Sequence, residues 1–110
     1  MSEITVQRVI EKLPTRFIAE NAADLTVVYQ FFIEDDQDFF ISVENQRCEV
    51  QTGEHDDPNL SLFMDAATVV DVVNGEIDGM GAFLSGRLRA EGNLLVASHL
   101  SKLFAKDKQS

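Results

Sequence analysis

The sequence predicts an α+β fold, a single sheet of five strands with its helices gathered on one side. Three observations lead there. Period-two alternation of apolar residues, broken by polar turns, runs through residues 25–64. After Met64 the apolar spacing changes to three and four. One further alternating stretch, residues 87–91, interrupts the helical part.

Taken in order, residues 4–13 place Val6, Val9, Ile10 and Leu13 three or four apart, a helical stripe. Pro14 interrupts it, and Thr15 is the candidate cap of a second short helical piece holding Phe17 and Ile18. Residues 25–33 form the first strand, with Leu25, Val27, Tyr29, Phe31 and Ile33 on one face and a mixture of Thr26, Val28, Gln30 and Phe32 on the other. An acidic turn, residues 34–38, leads to a returning strand at 39–44, where Phe39, Ile41 and Val43 share a face. A turn at 45–47 precedes a third strand at 48–52. The acidic loop 53–59 then leads to a fourth, in which Leu60, Leu62 and Met64 line one side. Four strands in succession with short turns predict an antiparallel meander.

Asp65 in front and Gly75 behind bracket a helix over 66–74, despite its β-branched residues. Residues 80–85 read as a short helix between Gly79 and Gly86, and 87–91 as the fifth strand. Gly92 turns the chain, Asn93 caps the last helix, and residues 94–105 supply its body, striped by Val96, Leu100, Leu103 and Phe104.

Composition narrows the function. The 110 residues are 45% apolar and 25% charged, which suits one folded domain, residues 1–110, rather than a disordered chain. Apolar runs fall short of the roughly 18–20 residues of a membrane span. Met1-Ser2-Glu3 lacks the positive start of a secretory signal, and a lone Cys48 suits a reducing compartment, so a cytoplasmic location is expected. The net charge of −10 is unevenly spread: residues 1–86 hold 17 acidic and 4 basic side chains, residues 87–110 hold 2 and 5. An acidic body repels phosphates, which argues against a nucleic-acid partner. The basic segment has two readings. Lys102, Lys106 and Lys108 complement the negative end of the last helix, or they make a transient contact with a membrane.

Several residues in this order resemble the sterol carrier protein 2 family over nearly the full length. These are Val28-Tyr29-Gln30-Phe31 on the opening strand, Asp57-Pro58-Asn59-Leu60-Ser61-Leu62 entering the fourth, and a longer signature from Gly75 to Phe104. The last contains Ala82-Phe83, Ser85-Gly86-Arg87-Leu88-Arg89, Gly92-Asn93 and the spaced Ala97, Leu100, Leu103 and Phe104. Glu76, Asp78-Gly79 and Ala90 depart from the family's usual residues, and Ser101-Lys102-Leu103 is internal rather than a C-terminal peroxisomal address. The resemblance implies a mixed five-stranded sheet with helices enclosing an apolar tunnel. It also implies binding of a fatty acyl, sterol-like or isoprenoid lipid without chemical change, with no cofactor. Bacterial relatives include accessory factors in quinone biosynthesis.

The candidate lipid-binding residues follow from apolar supply beside a short, glycine-bounded helix. Phe31, Phe39, Ile41 and Leu62 are the sheet floor. Met80, Phe83 and Leu84, with Leu94, Leu100, Leu103 and Phe104, are the walls. Each is equally readable as an ordinary core side chain, because periodicity does not separate a hollow interior from a filled one. Catalysis finds no support: His55, His99 and Cys48 lack zinc-ligand spacing, no Gly-x-Ser-x-Gly elbow is present, and no metal is expected. Val28, Phe32, Phe40 and Phe63 fall on the face away from the core, to be covered by the N-terminal helix or used in a homodimer. An adaptor that binds a lipid-modifying enzyme is the competing class.

Overall fold

The computed structural model describes residues 5–74 and 76–105. Ile4, Gly75, Lys106 and Lys108 lie outside the described residues. The chain forms helix α1 (Val6–Lys12), strands β1 (Val27–Ile33), β2 (Phe39–Glu44), β3 (Arg47–Thr52) and β4 (Leu60–Met64), helices α2 (Ala66–Val73) and α3 (Gly79–Leu84), strand β5 (Arg89–Gly92) and helix α4 (Ala97–Leu103). Among the described residues no helix is long and apolar enough to cross a membrane.

The sheet is five-stranded and mixed, as expected, in the order β3-β2-β1-β4-β5. The meander, however, ends with β3. Strand β4 pairs parallel with β1, Phe31 facing Leu62, and this places β1 at the centre. The loop 53–59 makes the crossing possible. Its seven residues reach at most roughly 23 Å, and three inter-strand steps need only about 14 Å. It is held against the sheet by Gln30, which is fully buried although it lies on the face away from the core. The Gln30 amide nitrogen donates to the carbonyls of Phe39 (3.2 Å) and Gly53 (3.0 Å), and its oxygen accepts from the His55 N–H (2.8 Å). Replacing Gln30 with leucine leaves those loop groups unpaired and is expected to cost about 2–4 kcal/mol in urea unfolding. A change below a few tenths of a kcal/mol would show that water satisfies them instead.

Helices α1, α2 and α4 pack on the other side. Val6, Val9 and Ile10 of α1 are buried in one cluster with Tyr29, Phe31, Phe39, Ile41, Leu60 and Leu62. The N-terminal helix therefore does not cover Phe32, Phe40 and Phe63, contrary to the expectation. The loop partly does, setting the His55 ring edge-on to Phe40 at 5.2 Å. Phe32 and Phe63 instead stack on each other at 5.0 Å, with the Arg89 guanidinium 5.3 Å from the Phe63 ring centre.

Two predicted helical pieces differ. After α1 a 3₁₀ turn spans Leu13–Arg16, and the Thr15 hydroxyl donates back to the Lys12 carbonyl (2.6 Å) rather than capping a new helix. Phe17 is extended and bridges Phe104, so the last helix also stops at Leu103 instead of continuing to 105. The Ile18 N–H donates to the Leu103 carbonyl (2.7 Å) and the Ala105 N–H to that of Arg16 (2.8 Å). These partners outside the helix satisfy backbone groups that another helical turn would otherwise have to pair. The last helix starts as a 3₁₀ turn, Leu94–Val96, with Asn93 accepting from the Leu95 N–H as expected (3.0 Å).

Candidate functional site

The sheet's core face presents its side chains in rows across the strands. One row reads Thr52, Phe39, Phe31, Leu62 and Ala90; the next reads Val50, Ile41, Tyr29, Leu60 and Gly92. The four predicted floor residues therefore come together: Phe39, Phe31 and Leu62 in one row, Ile41 beside them in the other. The rings of Phe31 and Phe39 stack at 4.6 Å, 7° from parallel. Over β1 and β2 the layer is closed, with Phe39, Ile41, Tyr29, Val6, Val9 and Leu103 all without appreciable exposure. The implied tunnel is not displayed there among the described residues. The cover thins toward the sheet edge: Leu62 is buried, whereas Ala90 and Leu88 are only partly buried against the core.

Three elements flank that edge. Helix α2 begins at Asp65, whose Oδ1 accepts from the Thr68 hydroxyl (2.6 Å) and N–H (2.9 Å). Those bonds, the hydroxyl first, hold the Asp65 carboxyl below the usual carboxylate range. The cap is thus complete at neutral pH and weakens as pH falls through that lowered value. Arg87 ties α3 to α2, its Nε donating to the Thr68 hydroxyl (3.2 Å) and its Nη2 pairing with Asp71 (3.1 Å). Asp78 caps α3 through the Gly81 N–H, and the fully buried Ala82 anchors it. The remaining large side chains of α3 stand in solvent: Met80 is 65%, Phe83 45% and Leu84 75% exposed. At the other end of β5, Leu94 is 56% exposed. The start of the last helix is fixed from below, where the Tyr29 hydroxyl donates to the Val96 carbonyl (2.7 Å). Burial pushes that hydroxyl up to about 12, so it remains a donor over the neutral range.

The predicted wall residues thus divide. Met80, Phe83 and Leu84 on α3 and Leu94 just after β5 stand exposed, with Leu100 half-buried on α4. Leu103 is buried in the closed core, and Phe104 turns to the N-terminal segment, its ring lying 5.7 Å from Phe17. Two residues of the edge, Leu88 and Ala90, stand outside the predicted lipid-binding set. The usable signal was the register, since Ala90 faces Leu62 directly.

Polar chemistry is sparse here. Two open surface hollows, of ≈ 480 and ≈ 260 Å³, lie at the start of β1 and along the β2–β3 hairpin, and none of the candidate lipid residues lines them. Among the described residues no group of three His, Cys, Asp or Glu side chains is placed to hold a metal ion. His55 is engaged in its loop, its Nδ1 accepting from the Asp57 N–H (3.0 Å).

Comparison with known proteins agrees with this architecture. No curated protein matches the sequence. Among solved structures, the sec-alkylsulfatase Pisa1 from Pseudomonas sp. is similar at a TM-score of 0.82 and 16% identity, over 97% of this chain. That match spans only 17% of the sulfatase chain. The UbiJ-SCP2 ubiquinone synthesis protein is similar at a TM-score of 0.67 and 12% identity, covering 88% of this chain and 87% of the other. Palmitated SCP2L2 from Aedes aegypti is similar at 0.67 and 15% identity, covering 90% and 93%. At these identities the likeness establishes the fold. The sequence itself matches the family model of the SCP-2 sterol transfer family over residues 8–105, and the chain belongs to that family.

Proposed function

We propose that the protein binds an apolar lipid (fatty acyl, sterol-like or isoprenoid) without altering it, and carries or presents that lipid to another acceptor. The observation that carries this reading is the row Phe39–Phe31–Leu62–Ala90, which runs from a closed core to a partly buried apolar edge on β5, the strand preceded and followed by turns that expose Met80, Phe83, Leu84 and Leu94. A hydrocarbon entering there extends the row and takes apolar side chains out of water. At about 0.8 kcal/mol per buried methylene, roughly ten buried methylenes supply the ~8.2 kcal/mol of micromolar binding. Family membership and the palmitated mosquito relative support the cargo class. Displacement of a fluorescent fatty acid by unlabelled fatty acid tests it; a protein that takes up no probe contradicts it. A cytoplasmic setting fits Cys48, whose thiol is pushed up to about 11 by burial, with Glu49 adding to the shift.

A second reading, an accessory protein for a lipid-modifying enzyme, is favoured by one observation. The Phe32–Phe63–Arg89 stack lies, partly buried, on the sheet face away from the core. The similarity to a ubiquinone synthesis protein and to part of a sulfatase supports it. A homodimer would use the same face.

A further inference from the structure

Among the described residues, the large apolar side chains that stand exposed all fall between residues 80 and 95, and Leu95, at 81%, is the most exposed of them. They occupy two short helical turns, one at each end of β5. The Leu88 N–H, just ahead of β5, donates to the Ala82 carbonyl (3.2 Å) and so holds α3 beside the start of that strand. The same stretch is the part of the chain that lacks negative charge. Residues 79–90 contain no carboxylate, and neither do residues 92–106, whereas 17 of the 19 acidic residues precede them. Glu91, between the two, faces Ser61 on the opposite side of the sheet and pairs with Arg89 (3.6 Å). Asp78 is engaged in capping α3. Beyond Leu95, Ser98, His99 and Lys102 are exposed at helical spacing, so a polar face that carries Lys102 continues directly from the leucines.

We infer that this side, led by Leu95 and Lys102, docks on an anionic lipid surface. An apolar turn supplies insertion into the headgroup boundary. A nearby lysine supplies attraction of the order of 1 kcal/mol at a negatively charged leaflet. The acidic body contributes orientation, because 17 of the 19 acidic residues lie ahead of this stretch. The same charge, −10 overall, opposes close pairing of two copies. The inference deepens the carrier reading: it names the surface on which the edge beside β5 would face its source of lipid.

Flotation with phosphatidylcholine vesicles, with and without phosphatidylglycerol, tests it on the full chain. The protein should float with the phosphatidylglycerol vesicles and be released by salt. Leu95→Ser should weaken the partition about fivefold or more, and Lys102→Glu roughly fivefold or more. Fluorescent fatty-acid binding in vesicle-free solution should be unchanged in both variants, since neither residue belongs to the proposed cargo site. Equal flotation on both vesicle types, no flotation on either, or wild-type partition by both variants overturns the inference. So does a dimer in sedimentation that Leu95→Ser abolishes, which would make this surface a contact between copies. If vesicle docking fails while fatty-acid uptake persists, docking alone is lost; if uptake fails while docking persists, the carrier reading is lost.

Discussion

Phe39→Ala is expected to lower the unfolding free energy by about 3–5 kcal/mol, shifting the urea midpoint with little change in slope. Phe39 has no exposed surface and sits between β1 and β3 on the closed part of the sheet. Its ring stacks on Phe31 at 4.6 Å, and α1 supplies Val6 and Val9 to the same cluster. Truncation there removes transfer energy and leaves a void that a two-sided β pairing cannot close by moving the backbone. A loss below about 1 kcal/mol would mean that the layer over β1 and β2 is loosely filled.

Phe83→Asp should have the opposite profile, a large effect on lipid and a small one on folding. Phe83 is 45% exposed, and α3 is held by buried Ala82 and by Arg87 rather than by this ring. An aspartate there meets water in the free protein. With a hydrocarbon laid along the edge, its charge must be desolvated, which is strongly unfavourable. Fatty-acid affinity should fall by about tenfold or more, while the unfolding midpoint moves little. Unchanged affinity would place the cargo away from α3.

Much of this architecture was legible in the sequence because face periodicity is a local property. Strand β2 and strand β4 fall on the expected residues, and Asp65 caps α2 as its side chain chemistry requires. Periodicity assigns faces, however, not neighbours. Nothing in residues 53–59 shows that they cross the sheet, so the parallel pairing of β4 with β1 was hidden until Gln30 was seen holding that loop. The extended Phe17 was hidden for a similar reason, since its partner Phe104 lies at the opposite end of the chain. For the candidate site, the floor row was readable from alternation alone. The walls were not, because Leu103 and Leu94 share an apolar character and a helical neighbourhood yet one is fully buried and the other stands in water.

Both variants bear on a single physical idea, that the apolar row continues past the closed core to an edge a hydrocarbon can occupy. Backbone amide NMR of the labelled protein during titration with a fatty acid locates that edge directly. Saturable shifts should concentrate at Leu62, Phe83, Leu88, Ala90 and Val96. Shifts confined to the β2–β3 hairpin or to the Phe32–Phe63 face, or an unchanged spectrum at saturating fatty acid, would contradict it.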